Sequence, residues 1–170
     1  MNAMPNWTQA DIVNQLNRAT SSGWIPFFES AARANNFDTE FLLAIASRET
    51  NMQNIKGDLQ SGTYHGFGIM QVDVGTDPEF CAQWTPDQVS GSVDRGTKIL
   101  AGKRDSLAAK NIMDPKAIAA AYNTGASNVI HSIQAGQDPD RTTTGHDYGA
   151  DVLARKAVFI SLRSGTVGPS

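Results

Sequence analysis

The sequence predicts a mainly helical, single-domain fold, interrupted by one Gly-rich stretch that forms a short β-hairpin or an extended segment. Three observations lead there. Helix-start signals recur along the chain, apolar residues follow them at three- and four-residue spacing, and from Asn51 to Gly68 that periodicity stops while glycines accumulate. The 170 residues fit one ordinary domain over 1–170, long enough to bury about two-thirds of its unfolded surface. A hydrophobic share of 40% beside 18% charged residues belongs to a folded chain, not to a disordered tail or a membrane span.

Thr8 and Asp11 form a capping-box pattern, and Ile12, Val13 and Leu16 predict a first helix that ends near Ser21-Ser22-Gly23. A second helix starts at Pro26, with Phe27, Phe28, Ala31 and Ala32 as its buried stripe, and Asn35-Asn36 break it. Asp38 reads as the N-cap of a strongly apolar helix, FLLAIASRE, running to about Glu49. In the Gly-rich stretch Gly57, Gly62, Gly66 and Gly68 mark turns, and Phe67 to Val72 forms the hairpin or extended segment. Thr85-Pro86-Asp87-Gln88 combines a Thr cap, a first-position Pro and a third-position Gln, so a long helix follows, with Val93, Leu100 and Leu107 at seven-residue spacing. Asp114-Pro115 opens KAIAAAY, which Asn123-Thr124-Gly125 stops. Ser127 to Gln134 and Asp147 to Leu162 complete the set, Val152 and Phe159 facing inward.

Composition excludes several functions. With net charge −3 no attraction to nucleic acid is expected. Cys81 is the only cysteine, so there is no internal disulfide and no Cys-rich zinc cluster, and its thiol reads as a packing residue. His65, His131 and His146 are scattered without ligand spacing, so neither a metal nor a cofactor is expected. The apolar run FLLAIA at 41–46 is too short to span a bilayer. The first basic residue is Arg18, and MNAMPNWTQADIV lacks the charged and apolar regions of a secretory leader, so export requires a removed leader or another route.

Chemistry concentrates after the third helix. Phe41, Ile45 and Glu49 share one face at four-residue spacing, beside Leu42 and Ala46, so Glu49 projects from an apolar stripe. Burial and the negative end of the helix both favour a proton on that carboxyl, as a general acid requires. Alone, a glutamate in a last turn more often bends to solvent or pairs with a neighbour such as Arg48 or Lys56. The following segment changes that balance: it carries Asp58 and Asp73, with Tyr64, His65, Gln71 and Trp84. Carboxylates for acid and base work, and aromatic faces with amides to hold sugars, are what a glycan cleft needs.

At this point a family pattern emerges. ASRET followed by GFGIMQVD resembles the catalytic core of goose-type lysozymes, in which a helix-terminal Glu and a Gly-rich stretch precede GFGLMQVD. AAYNTGASNV at 120–129 is similar to the family's AYNAG segment, and TTTGHDYGADVLARKAVF at 142–159 resembles its DYxxDVxAR helix. All three occur in family order over roughly residues 38–160.

The resemblance implies a lysozyme-like helical fold with a cleft across it. It implies hydrolysis of the β-1,4 bond between N-acetylmuramic acid and N-acetylglucosamine in peptidoglycan glycan strands by a secreted or wall-delivered monomer. It matches Glu49 to the general acid, Asp73 and Asp58 to the carboxylates that position water, and Gln71, Tyr122, Asn123 and Tyr148 to the cleft lining. Two features depart from the wider pattern: Glu49-Thr50 stands where the related lytic transglycosylases carry Glu-Ser, and Asp58 lies further from Gly66 than in the avian sequences. Without the resemblance, Tyr122 and Tyr148 read as core aromatics with a wet hydroxyl. Arg155 reads as an ion-pair partner, and the GFG at 66–68 lacks the third Gly and the strand–helix setting of a phosphate loop.

Alternatives stay open at this level: transglycosylation by the sugar's own hydroxyl, which needs no water-activating carboxylate; chitin as substrate; and a non-catalytic glycan binder, for which Glu49 would have no use.

Overall fold

The computed structural model describes residues 6–165. Its elements are helices α1 (Gln9–Ser21), α2 (Ile25–Asn35) and α3 (Thr39–Thr50), strands β1 (Lys56–Gln60), β2 (Thr63–Phe67) and β3 (Val72–Asp73), then helices α4 (Pro78–Gln83), α5 (Val89–Ala108), α6 (Pro115–Thr124), α7 (Ala126–Gln134) and α8 (Tyr148–Arg163). Two 3-10 turns, Pro139–Thr142 and Thr144–His146, precede α8. The fold is mainly helical with a small antiparallel sheet in the order β1-β2-β3, as the sequence predicts. Residues 1–5 and 166–170, part of the expected domain and of the leader reading, lie outside the described residues. No described helix is long and apolar enough to cross a membrane.

The centre of the molecule is α3. Phe41 through Ser47 are all buried, so the helix is enclosed on every side, and it packs along α8 and against α2. Helix α6 fills the space between α5 and α8 with Ala117, Ala119, Ala120 and Ala121, all fully buried, whose small side chains allow close approach. Val93, Leu100 and Leu107 are fully buried along α5, and Val152 and Phe159 along α8, as their spacing predicts. Cys81 is buried, and burial pushes its thiol up to about 11, assisted by the charges of Asp77 and Asp73.

A polar lock joins α3 to α8. Arg48 reaches Asp151 (2.9 Å) and Asp147 (3.2 Å), while Arg155 binds Asp151 (2.8 Å) and donates to the Ser47 hydroxyl (2.8 Å). The Trp7 indole donates to the other Asp151 oxygen (2.6 Å). Burial alone would raise the Asp151 carboxyl, but these partners hold it below the usual range.

The capping signals resolve differently from one another. Thr8 and Asp11 close the full box at α1: Thr8 Oγ1 accepts from the Asp11 N–H (3.2 Å), and Asp11 accepts from the Thr8 N–H (2.7 Å). Asp114 accepts from the Lys116 N–H (3.1 Å) at α6. Asp38 occupies the N-cap of α3, yet its carboxylate binds Lys156 (2.9 Å) instead of the helix end. The Thr85 signal is corrected: Gln88 Oε1 takes the Thr85 N–H (3.1 Å), which closes a turn, and α5 begins only at Val89. Phe27 is also corrected, being 37% exposed; the stripe of α2 centres on Phe28, Ala31 and Ala32, and Phe27 lies at its rim.

The hairpin lies earlier than Phe67 to Val72. Strands β1 and β2 pair through Lys56–Phe67, Gly57–Gly66, Leu59–Tyr64 and Gln60–Thr63. Ser61 (φ 48°) and Gly62 (φ 82°) form the two-residue turn, both left-handed as a type I′ hairpin requires. Gly57 and Gly66 therefore sit opposite one another within strands, not in turns. The 67–72 segment instead curls tightly so that Val72 and Asp73 return against Phe67 and Gly66.

Candidate active site

An open cleft of about 630 Å³ runs between the sheet and the helices. Its sheet side carries Asp58 on β1, Gly66 on β2, Gln71, and Asp73 on β3; its helical side carries Glu49 from the end of α3 and Tyr122, Asn123 and Gly125 from the end of α6. The cleft thus lies where two helix ends meet the sheet.

Glu49 is half-buried at the inner wall. The α3 C-terminus that presents it is anchored by Thr50, whose buried hydroxyl lies 2.9 Å from the Ile69 carbonyl and 3.0 Å from that of Ala46, and accepts from the Gln53 N–H (3.1 Å). The Thr50 hydroxyl that follows Glu49 is therefore structural. Asn51 and Met52, both left-handed, then turn the chain away, and Arg18 binds the Asn51 carbonyl (2.9 Å).

Glu49 does not pair with Arg48 or Lys56. Its Oε1 accepts a short hydrogen bond from the Tyr148 hydroxyl, and Arg48 lies over the Tyr148 ring at 5.2 Å while its guanidinium is committed to Asp147 and Asp151. Burial pushes the Glu49 carboxyl up to about 7, against the opposing pull of the Tyr148 hydrogen bond and the Arg48 charge. The Tyr148 and Tyr122 phenols are driven well above their ordinary value, first by burial and then by the Glu49 charge, so both remain donors.

The other candidates fall as follows. Asp73 is exposed, with Oδ1 accepting from the Gly75 N–H (2.8 Å). Asp58 is exposed, left-handed at φ 52°, and accepts from the Gln60 amide at 3.0 and 2.9 Å. Tyr122 donates to the Met70 carbonyl (2.7 Å), tying α6 to the GFGIMQVD loop. Asn123 accepts from the Thr144 N–H (2.9 Å). Gln71, left-handed at φ 51°, donates to the Ile55 and Gly68 carbonyls (2.9 Å each). Gly57 and Gly66 make room for its amide, since a Cβ at either would meet Gln71 Oε1 at 2.2 or 2.3 Å.

Tyr148 starts α8 but its side chain is buried, so it touches Glu49 from behind and is not part of the cleft lining. Trp84, Tyr64 and His65, grouped with the cleft on sequence, are also outside its lining. Trp84 is buried beneath the loop, its indole bound to Ser92 (2.9 Å) and edge-on to Phe67. Tyr64 faces outward on β2, 41% exposed.

Sequence reasoning missed two charged residues. Asp140, almost fully buried, accepts from the Gly149 (2.6 Å) and Ala150 (2.9 Å) N–H groups and so caps the helix that presents Tyr148; its distance from Asp147, the nominal cap, hid it. Lys103 lines the cleft from α5, where a helix lysine reads as an ordinary solvated residue.

No group of three or more His, Cys, Asp or Glu among the described residues could hold a metal ion. A mainly helical scaffold whose helix-terminal glutamate meets carboxylates from a small sheet across an open cleft has the layout of a lysozyme-like glycosidase. The sequence pattern of the family described as Lysozyme g matches residues 18–161, and the chain belongs to that family of peptidoglycan-cleaving glycoside hydrolases. A search of curated proteins finds no match.

Proposed function

We propose that Glu49 is the general acid of an inverting muramidase that hydrolyses the β-1,4 bond between N-acetylmuramic acid and N-acetylglucosamine. The observation that carries this is the half-buried Glu49 carboxyl, pushed up to about 7 at the cleft wall, which keeps a proton available near neutrality. Glu49 protonates the departing glycosidic oxygen. Asp73, with Asp58, orients a water on the opposite face of the sugar and takes its proton. Both reach the cleft from the sheet side, whereas Glu49 reaches it from the helical side, so the two kinds of acid flank the bound strand.

Tyr148 tunes Glu49 from behind. Tyr122, Asn123 and Gln71 hold the sugars, and Gln71 offers Oε1 because its amide N–H groups already serve backbone carbonyls. The reaction as written is acid–base chemistry by side chains of one domain, working as a monomer delivered to the cell wall. The test is lysis of purified wall by wild type and Glu49→Gln. The isosteric amide should retain the fold and strand binding but lower kcat by about two to four orders of magnitude; near-normal lysis would remove Glu49 from the mechanism.

A further inference from the structure

The cleft does not end at Asp73. It continues through Thr76, Ile99 and Lys103 into a second groove of about 380 Å³, lined by Arg95, Lys98, Gly102, Ser106, Ala126 and Ser127. Residues 95, 98, 99, 102, 103 and 106 fall at three- and four-residue spacing, so one face of α5 forms the groove's length. This extension is lined by three cationic side chains and no acidic one, whereas the cleft beside it carries three carboxyl groups and shares only Lys103 as a cation.

The three cations are not equivalent. Arg95 is committed to Asp77, and Lys98 to Asp94 (2.9 Å). Lys103 is half-buried and, among the described residues, its ammonium has no hydrogen-bond or ion-pair partner. Burial lowers its pKa, with the Asp73 charge pulling the other way. A partly buried ammonium without a counter-ion is costly unless an anion arrives to pair with it. Asp73 is near enough to act on it electrostatically but forms no salt bridge with it.

We infer that Lys103 is a specificity-determining residue that binds a carboxylate carried on the muramyl side arm of the glycan strand, the groove along α5 receiving that arm. The inference rests on the peptidoglycan reading above and adds what separates this substrate from chitin, whose N-acetylglucosamine units carry no carboxylate. The carboxylate belongs either to the lactyl group itself, where the strand bears no peptide, or to the peptide attached there. Both present the same anion to the same ammonium.

The test uses calorimetric affinities in a Glu49→Gln background, where strands are bound without turnover, together with KM and kcat of the active enzyme. Three ligands are compared: a neutral N-acetylglucosamine oligomer, peptide-free glycan strands with free lactyl carboxylates, and strands bearing peptides. Lys103→Met should cut the preference for carboxylate-bearing strands over the neutral oligomer about tenfold, as KM more than kcat, and Lys103→Arg should restore most of it. A loss on peptide-free strands would assign the anion to the lactyl group, and a loss confined to peptide-bearing strands would assign it to the peptide. An equal loss on neutral and anionic ligands, or none, would overturn the inference even if wall lysis proceeds. If wild type fails to cleave wall, the catalytic reading falls, while the affinities still decide the role of Lys103.

Discussion

At the residue scale, the proposed role of Glu49 makes a prediction about pH dependence. As an acid it must hold its proton, so kcat/KM should fall as pH rises through about 7, the value to which burial pushes it. Tyr148→Phe removes a donor that favours the carboxylate, so the Glu49 pKa should rise further and the alkaline limb move to higher pH by up to about one unit. A pH–rate profile in both proteins checks this, and an unmoved limb would show that the limb belongs to another group. The same shift acts on stability. The unfolded glutamate loses its proton near 4.5 and the folded one only near 7, so between these values the native state holds more protons and stability falls as pH rises. Glu49→Gln should therefore unfold at higher urea than wild type near about pH 8, by about 1–3 kcal/mol, and match it near about pH 4, where both states of wild type are protonated. Equal midpoints at both pH values would mean that burial costs the Glu49 carboxylate little.

At the scale of elements, the floor of the cleft depends on two glycines that face each other across the hairpin. A Cβ at Gly66 would enter the space of Gln71 Oε1 (2.3 Å) and its Cδ (2.9 Å). Gly66→Ala should displace the amide that ties Ile55 to Gly68, cost about 1–3 kcal/mol in denaturant melts, and raise KM. Gly91→Ala, in α5 with open space around it, should be neutral or stabilising by up to about 1 kcal/mol; a comparable loss at both sites would sink the packing argument. These glycines also explain what the sequence did not convey. Gly57 and Gly66 read as turns because Gly most often marks one, and nothing local says that they face each other within strands to admit Gln71. The helices were legible where cap and stripe agreed, as at Thr8 and Asp114, and misplaced where the Thr85 pattern closed a turn in place of a helix end. Of the candidate site, residues inside contiguous motifs were located by order along the chain. Lys103 and Asp140 act through contacts distant in sequence, and Trp84 was drawn into the core by Ser92 and Phe67.

At the scale of the whole molecule, a net charge of −3 gives no long-range attraction to an anionic wall, so moderate salt should not strongly depress wall lysis. A steep loss between low and physiological salt would point to steering by the cationic groove. The product separates the two reactions that share a Glu49 acid. If Asp73 holds water against the anomeric carbon, the released strand ends in a free reducing muramic acid of inverted configuration. If the sugar's own hydroxyl closes on that carbon, the end is an anhydro ring, lighter by one water. On the proposed reading water is the nucleophile: the cleft is open, and Asp73 and Asp58, both exposed, line it on the sheet side, where they would give a water access and a base. In the substrate complex the Glu49 and Asp73 carboxyls should stand about 6.5–9.5 Å apart, the separation that leaves room for that water. Asp73→Asn should then lose far more rate than Asp58→Asn, because Asp58 is already held by the Gln60 amide at the outer edge of β1. Mass spectrometry of the muropeptides released from purified wall reads the outcome directly: reducing ends are expected, and dominant anhydro ends would overturn hydrolysis while leaving Glu49 as the acid.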